Sequence, residues 1–394
     1  YFTNTDKSNQ TQLWKTSSTE ISEQFEDFPP DFSNYSKFNV VNNTLYFTAE
    51  DRYNNVILFK VNNQGEAQPV DSIYSNDYKI SNLTATNDAL YLSTTDRNNH
   101  LFFWKINNNG EIQTLNSYYY LSNLSKLSNV SNLVVVNDIL YFTAIHKQNN
   151  ELSLWQLDNN DDAEFVEGID YYTSNVSNLT IHNNTLYFTA NHRDNGSKLW
   201  KINQKGNAEV VWDIDEMSNP ANLKVINDTL YFTASDKNNG NELWEVKKEF
   251  DNTETTVRLT QINQRTREAP SNFTNVNGTL YFTADDDNFG RELWRIKSNG
   301  ESESIRSTDV YNRLSNHENL TAVDGTLYFT AETKDEGREL WRINNDGIPE
   351  LVYDINYGSY SSSPENLTVF DGTLYFSATD YDGAKRLAKI DSTG

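Results

Sequence analysis

The chain has 394 residues, of which 13 % are aromatic and 22 % are charged, and it contains no cysteine. The absence of cysteine excludes disulfides, thiolate metal sites and cysteine nucleophiles. A formal net charge of −24 repels phosphate backbones and anionic lipid heads, so the sequence predicts neither nucleic-acid binding nor membrane insertion.

One motif, Leu-Tyr-Phe-Thr-Ala or part of it, recurs along the whole chain. Its tyrosines are Tyr1, Tyr46, Tyr91, Tyr141, Tyr187, Tyr231, Tyr281, Tyr328 and Tyr375, so the repeat length averages about 47 residues. A fixed period of this size indicates one supersecondary unit that is stacked many times. We therefore expect a single repeat domain over residues 1–394. Because the chain begins inside a repeat, we also expect it to be a segment of a longer chain.

The first two strands predicted in each repeat are joined by a pair of turn-forming residues. The eight pairs are Asn42-Asn43, Asn87-Asp88, Asn137-Asp138, Asn183-Asn184, Asn227-Asp228, Asn277-Gly278, Asp324-Gly325 and Asp371-Gly372. A two-residue type I′ turn needs positive φ at both positions, which Asn, Asp and Gly tolerate. The sequence therefore predicts eight tight hairpins.

A third strand follows a polar loop, as in Glu292–Ile296, and a fourth follows a looser turn, as in Glu350–Ile355. Four short antiparallel strands per repeat are typical of a propeller blade. The run Leu-Tyr-Phe is apolar on both faces of its strand, which indicates a sheet packed between two other sheets. The second and third strands occur nine times and the first and fourth eight times, so we expect an all-β propeller of nine blades, with eight as the alternative.

Two copies of a second motif, Gly290–Trp294 and Gly337–Trp341, both read Gly-Arg-Glu-Leu-Trp, and Asp371-Gly372-Thr373 follows in the last repeat. In these motifs the chain resembles the bacterial ELW-type repeat family over essentially its whole length. It departs from the family pattern after the tryptophan, and Phe59 and Ala388 replace the tryptophan in two copies. The resemblance implies a repeat that is found in large secreted or surface proteins of bacteria, including cyanobacteria.

The loops between second and third strands lie on the same face as the linkers between repeats, and we expect binding there. An acidic residue recurs two positions after the motif alanine or its equivalent: Asp6, Asp51, Asp96, Asp236, Asp286 and Asp380. Such side chains commonly satisfy loop amides. Where hard oxygen ligands cluster, at Asp285, Asp286, Asp287 and Asn288, calcium binding is the alternative. His146 and His192 replace the acidic residue and are either a joint metal site or two unrelated histidines.

Aromatic residues in the linkers form the second set of candidates: Tyr119, Tyr171, Tyr357 and Tyr360. Exposed tyrosines stack on sugar rings or anchor protein partners, whereas buried ones fill gaps between sheets. The tryptophan of the Glu-Leu-Trp motif recurs in most repeats, which indicates a place in the core rather than a role in a single site.

The near-uniform repeat and the absence of a singular catalytic residue favour a non-catalytic secreted or cell-surface module. We expect a sheath, surface-layer, fibre or adhesin component that is extracellular and that contacts a glycan or protein or assembles with itself. The sequence indicates no certain cofactor, and calcium is the one candidate. The alternative is a glycan-active lyase or hydrolase on a propeller scaffold.

Overall fold

The structure is a computed structural model of the whole chain. It describes residues 2–5, 11–17, 20–24, 32–61, 66–70, 73, 78–115, 123–157, 162–169, 174–192, 196–211, 217–236, 240–248, 254–260, 268–286, 290–297, 299–306 and 311–390. Two compact units divide the chain, and the boundary runs through the fifth of nine sheets. Unit 1 comprises residues 1–179 and 202–208, and unit 2 comprises residues 180–201 and 209–394.

The first four sheets belong to unit 1. Sheet 1 contains β1 (Phe2–Thr5), β2 (Thr11–Ser17) and β3 (Glu20–Gln24); sheet 2 contains β4 (Phe32–Val41), β5 (Thr44–Asp51), β6 (Val56–Val61) and β7 (Ala67–Pro69). Sheet 3 contains β8 (Tyr78–Ala85), β9 (Ala89–Asp96), β10 (Leu101–Asn107) and β11 (Ile112–Thr114); sheet 4 contains β12 (Leu127–Val136), β13 (Ile139–His146), β14 (Glu151–Leu157) and β15 (Ala163–Phe165).

The remaining sheets follow in chain order. Sheet 5 contains β16 (Ser174–His182), β17 (Thr185–His192), β18 (Gly196–Ile202) and β19 (Ala208–Val210); sheet 6 contains β20 (Met217–Ile226), β21 (Thr229–Asp236), β22 (Asn241–Lys248) and β23 (Glu254–Arg258). Sheet 7 contains β24 (Ser271–Val276), β25 (Thr279–Asp286), β26 (Gly290–Ile296) and β27 (Ser302–Ile305); sheet 8 contains β28 (Ser315–Val323), β29 (Thr326–Thr333), β30 (Gly337–Ile343) and β31 (Pro349–Tyr353). Sheet 9 contains β32 (Glu365–Phe370), β33 (Thr373–Thr379) and β34 (Lys385–Ile390).

The described residues form an all-β, β-propeller-like repeat of antiparallel sheets, as the sequence predicts. Seven sheets have four strands, and sheets 1 and 9 have three. Sheet 1 lacks the first strand of the repeat and sheet 9 lacks the fourth, so the predicted numbers of each strand are confirmed. The helix that the described residues contain is a short 3₁₀ turn, Asn123–Lys126. No helix in this part of the chain is both long and apolar enough to span a membrane.

Seven of the eight predicted turns have positive φ at both central residues. Asp324 has a φ of 44° and Gly325 a φ of 79°, for example, so the type I′ prediction is confirmed there. The exception is the Asn87-Asp88 turn, where neither residue has positive φ. Thr86 instead makes a backbone hydrogen bond to the Ala89 carbonyl, and its hydroxyl accepts the Ala89 amide at 3.1 Å. A threonine side chain therefore closes this turn.

Asparagines in the left-handed conformation bend the first strand of several sheets. In β28, Asn316 and Asn319 have φ values of 52° and 54°, and the pairing of β28 with β29 shifts register at these bulges. The side chain of the second asparagine then bonds the buried threonine of the repeat motif: Asn319 Nδ2 lies 3.2 Å from Thr330 Oγ1. Asn132 Nδ2 and Thr143 Oγ1 of sheet 4 make the same contact at 3.1 Å. This bond explains why the motif contains a polar residue at a buried position.

In unit 2 both faces of the central strands are buried against neighbouring sheets. On one face of sheet 8, Leu327 and Phe329 pack against Tyr281 of sheet 7. On the other face, Tyr328 packs against Phe376 of sheet 9. Burial of each such aromatic side chain removes enough apolar surface to stabilise the fold by about 2–3 kcal/mol. The two-faced burial expected from Leu-Tyr-Phe is confirmed in this unit.

Unit 1 is built in the same way. Sheet 3 shares one apolar layer with sheet 2, in which Leu92 packs with Tyr46. It shares a second layer with sheet 4, in which Tyr91 packs with Phe142. Trp155 lies in this second layer, as the recurrence of the tryptophan predicts.

Candidate functional site

The recurrent acidic residue organises the loop between the second and third strands. Asp51 Oδ1 accepts the backbone amides of Tyr53 and Asn55 at 2.8 and 2.9 Å. Asp96 and Asp380 make the equivalent pairs of hydrogen bonds in their own loops. Burial raises the pKa of Asp51, but the hydrogen bonds from Asn55 and Tyr53 outweigh it and leave the pKa below its ordinary value. At these three positions the loop-amide interpretation is confirmed.

The calcium candidate falls largely outside the described residues. Asp287 and Asn288 lie in an undescribed segment, and the Asp286 side chain is not described. Asp285 Oδ1 lies 3.3 Å from Arg291 Nη1, opposite it on β26. No group of three or more metal-ligating side chains occurs among the residues that the structure describes. The calcium site stays a prediction, and Asp285 is engaged in an ion pair.

The two histidines that replace the acidic residue each stack on the tryptophan of their own sheet. The ring centroids of His146 and Trp155 are 5.9 Å apart, and those of His192 and Trp200 are 6.0 Å apart. Ring stacking on the tryptophan is one explanation for a histidine at each of these positions, and it does not require a bound metal.

Three glutamates of the Glu-Leu-Trp motif are buried and hold the linker that leaves their sheet. Glu242 accepts the Thr260 hydroxyl, and Glu292 Oε1 lies 2.7 Å from Arg313 Nη2. Glu339 is fully buried. A buried carboxylate is stable only when donors surround it, and here the donors come from the linkers. The sequence analysis missed this role, although a glutamate within an apolar strand was the available signal.

Glu339 makes the most extensive of these contacts. Its Oε1 accepts the Ser362 amide at 2.8 Å, while Oε2 accepts the Ser362 hydroxyl at 2.5 Å and the Ile355 amide at 3.3 Å. Burial raises the pKa of Glu339; the bonds from Ser362 and Ile355 lower it in part, and the nearby Asp354 carboxylate raises it further. These bonds tie both ends of residues 353–362, which we call the tyrosine loop, to β30.

The tyrosine loop presents its aromatic side chains to solvent. Tyr357 and Tyr360, both predicted from the sequence, are 62 % and 72 % exposed, so they do not fill gaps between sheets. Tyr353 is 59 % exposed, and its hydroxyl lies 3.1 Å from that of Tyr357. Tyr381, in the loop between β33 and β34, is 71 % exposed. The other two predicted tyrosines, Tyr119 and Tyr171, lie outside the described residues.

Internal hydrogen bonds fix the path of this loop. Asp354 Oδ2 accepts the Gly358 amide at 2.9 Å, and Asn356 Nδ2 donates to the Ser361 carbonyl at 3.2 Å. Gly337, the first residue of β30, packs so closely that an added Cβ would lie 2.8 Å from the Tyr360 carbonyl oxygen. The exposed tyrosines are therefore held on an ordered loop, which lowers the entropic cost of binding a partner.

Two glycines in identical local sequences test this packing. Gly337 and Gly290 each begin a Gly-Arg-Glu-Leu-Trp-Arg-Ile strand with positive φ, but no atom of the described residues lies within 4 Å of a Cβ added at Gly290. We expect both alanine variants to lose about 1 kcal/mol of stability from backbone strain. Gly337→Ala should lose a further 1–3 kcal/mol, roughly, because the loop backbone must move. Thermal unfolding of the two variants measures the difference; equal losses would contradict the close packing.

His317 is the most unusual titratable residue in unit 2. It is 1 % exposed, and its Nδ1 lies 3.2 Å from the Arg291 carbonyl oxygen, to which it donates. Its Nε2 is buried without a hydrogen-bond partner. Burial lowers the pKa of His317 to about 4; the Arg291 bond opposes this, and the nearby Arg338 and Arg313 guanidinium groups lower the pKa further. The imidazole is therefore neutral at pH 7.

A cavity of about 360 Å³ lies between sheets 7 and 8, at the end opposite the linkers. Tyr281, Arg295 and Asp346 contribute to its lining. Arg295 Nη2 lies 2.7 Å from Glu303 Oε2, so this cation is already paired. We assign no ligand to this cavity, and the exposed loops on the opposite end are the better candidate surface.

Comparison with solved structures finds similarity to several proteins, among them a puromycin hydrolase and prolyl peptidases. A puromycin hydrolase is 11 % identical, with a TM-score of 0.41, over 87 % of this chain and 58 % of its own. Prolyl oligopeptidase B from Galerina marginata is 7 % identical, with a TM-score of 0.45, over 91 % of this chain and 55 % of its own. A structure from a study of two prolyl endopeptidases is 12 % identical, with a TM-score of 0.45, over 80 % and 48 %. This chain therefore spans about half the length of these proteins.

At these identities the similarity describes the fold. No protein-family model and no curated protein matches the sequence. The comparisons contradict the expectation of a non-catalytic surface module, with a glycan-active enzyme as the alternative: the structures named above are a puromycin hydrolase, a prolyl oligopeptidase and a prolyl endopeptidase. The same findings contradict the prediction that the chain is not an enzyme. Neither is retained below.

Proposed function

We propose that this chain is the peptide-recognition part of a peptidase, and that the tyrosine loop contacts the peptide. The observation that carries the proposal is the cluster of exposed tyrosines on a loop fixed by buried Glu339. Tyrosine combines a large apolar ring with a hydroxyl and loses little conformational entropy when it is bound, so it suits peptide recognition. The similarities to peptidases all have TM-scores below 0.5, and we use them only to choose peptide cleavage as the first activity to assay.

Peptide binding by the purified protein tests this function. A mixture of defined peptides is incubated with the protein, binding is measured by fluorescence anisotropy, and cleavage is followed by mass spectrometry. Replacing Tyr357 by alanine should weaken binding about tenfold, as expected for a central aromatic contact. Tyr311→Ala is the matched control, because Tyr311 is 92 % exposed in another linker of unit 2. Absence of peptide binding, or equal weakening by both variants, would overturn the proposal.

We further propose nine blades rather than eight for the propeller. The nine separate antiparallel sheets support this number, since each would form one blade. Counting the lobes of single particles by electron microscopy distinguishes the two, and eight lobes would refute the proposal. Membership of the ELW-type repeat family, the extracellular location and the cell-surface partners stay predictions from the sequence.

A further inference from the structure

Tyrosines from two neighbouring loops converge on one exposed surface. Tyr353 and Tyr357 share a hydroxyl contact of 3.1 Å within the tyrosine loop. Tyr381 belongs to the loop of residues 380–384 in sheet 9, and Thr379, just before this loop, donates its amide to the Ser362 carbonyl of the tyrosine loop at 2.8 Å. The loop between β33 and β34 and the linker before β32 lie at the same end of sheet 9, so both sets of rings face the same solvent region.

Carboxylates surround these tyrosines. Asp354 belongs to the tyrosine loop, where its Oδ1 is buried and its Oδ2 accepts the Gly358 amide, while Asp380 and Asp382 belong to the loop that carries Tyr381. Two positive groups lie beside them on β34: the Lys385 ammonium pairs with Glu365, and the Arg386 guanidinium donates its Nε–H to Asp380. These four carboxylates outnumber the two cations and leave the surface negative, in a chain that has 56 acidic and 32 basic residues overall. Such a surface attracts cations and repels acidic ligands.

A tyrosine ring attracts a cation through its negative π face, most favourably when carboxylates stand nearby. The same chemistry already occurs within this chain. Lys105 Nζ lies 5.4 Å from the ring centroid of Tyr91, and the Arg52 guanidinium lies 5.1 Å from that of Tyr53. Ammonium and guanidinium groups are thus the side chains that the exposed tyrosines and their acidic neighbours complement.

We propose that the surface formed by Tyr353, Tyr357, Tyr381 and Asp382 binds the lysine or arginine side chains of a basic peptide. This inference rests on the proposed peptide-recognition function and specifies the class of peptide. The cationic side chain lies over a tyrosine ring, and the carboxylates provide the complementary charge. Acidic peptides are repelled by the negative surface. Neutral peptides make neither the cation–π contact nor the attraction to the carboxylates.

A pair of chemically matched peptides tests the charge requirement. The probe is a fluorescently labelled lysine-rich peptide, compared with the same peptide after acetylation of every lysine, which removes the charge but keeps the chain. We expect acetylation to weaken binding about tenfold and the difference to shrink as salt is added. Equal affinity for the two peptides would overturn the inference but leave peptide recognition intact. If neither the lysine-rich peptide nor its acetylated form binds, and no other peptide binds either, the proposed peptide-recognition function fails.

Two charge-neutralising variants localise the effect. Asp382→Asn should weaken binding of the lysine peptide about threefold and leave that of the acetylated peptide unchanged, since Asp382 is exposed beside Tyr381. Asp346→Asn is the control: it removes the same charge from an exposed turn at the opposite end of sheet 8. Equal effects of the two variants would show a response to net charge alone and would overturn the assignment to this surface.

Discussion

Replacing Glu339 by alanine is expected to destabilise unit 2 by about 3 kcal/mol and to disorder the tyrosine loop. The substitution leaves the Ser362 amide, the Ser362 hydroxyl and the Ile355 amide without their acceptor. Buried donors without a partner each cost about 1–3 kcal/mol, less where water enters the space that is left. Chemical denaturation measures the loss of stability. Hydrogen exchange at the Ser362 and Ile355 amides shows whether the loss is local.

Glu350→Ala is the matched control for this prediction. Glu350 lies on the neighbouring strand β31, where its partly exposed carboxylate is 2.9 Å from Arg342 Nε. An ion pair at the surface contributes little, so this variant should lose less than about 1 kcal/mol. Because the tyrosine loop depends on Glu339, only Glu339→Ala should also weaken peptide binding. If both variants lose the same stability, or if exchange at Ser362 is unchanged in Glu339→Ala, the clamp role of Glu339 is wrong.

The repeat architecture was predictable because its signals are local and recur many times. Asn and Gly at the hairpin positions follow from the sterics of positive φ, which depends on the residues of the turn alone. Burial on both faces followed from Leu-Tyr-Phe without knowledge of the neighbouring sheet. The turn at Asn87-Asp88 departs from this rule because Thr86 supplies an alternative hydrogen bond. One residue outside the pair was enough to change the turn.

The clamp residues were not predictable in the same way, because their partners lie far along the chain. Glu339 and Ser362 are 23 residues apart, and nothing in the local pattern pairs them. The partners also differ between sheets, since Thr260, Arg313 and Ser362 each serve one glutamate. Because the buried glutamates have different partners in different sheets, no fixed sequence spacing identifies these pairs. Exposure of Tyr357 and Tyr360 likewise depends on how the linker packs rather than on the residues themselves.

His317 was not predicted as a notable residue because it lies outside the recurring motifs of the repeat. It directly precedes Glu318, which is opposite the motif threonine Thr330 in the pairing of β28 with β29. The residues at the same register in five other sheets are Tyr35, Val130, Pro220, Pro270 and Pro364. A histidine therefore stands where these five sheets have valine, proline or tyrosine. This departure could have been found by aligning the repeats.

Acid is expected to destabilise the protein through His317. The pKa of this imidazole is about 4 in the folded protein and near 6.5 when the chain is unfolded. Between these values the unfolded chain binds a proton that the folded state does not, so the free energy of unfolding falls as the pH drops from 6.5 to about 4. The difference of about 2.5 in pKa corresponds to a loss of about 3 kcal/mol. Above pH 6.5 this contribution to stability is fully present.

His317→Val tests this dependence, because valine occupies the equivalent position in sheet 4. At pH 7.5 the variant should be less stable than the native protein by about 1–2 kcal/mol, since valine removes the unpartnered Nε2 but also the hydrogen bond from Nδ1 to the Arg291 carbonyl. Between pH 6.5 and 4 it should lose about 3 kcal/mol less than the native protein, as measured by denaturant unfolding at each pH. All other acid-sensitive groups are common to the two proteins, so to first order their contribution cancels in the comparison. Parallel pH curves for the two proteins would show that His317 is protonated without cost, and its burial beside Arg313 and Arg338 would then have no effect on acid stability.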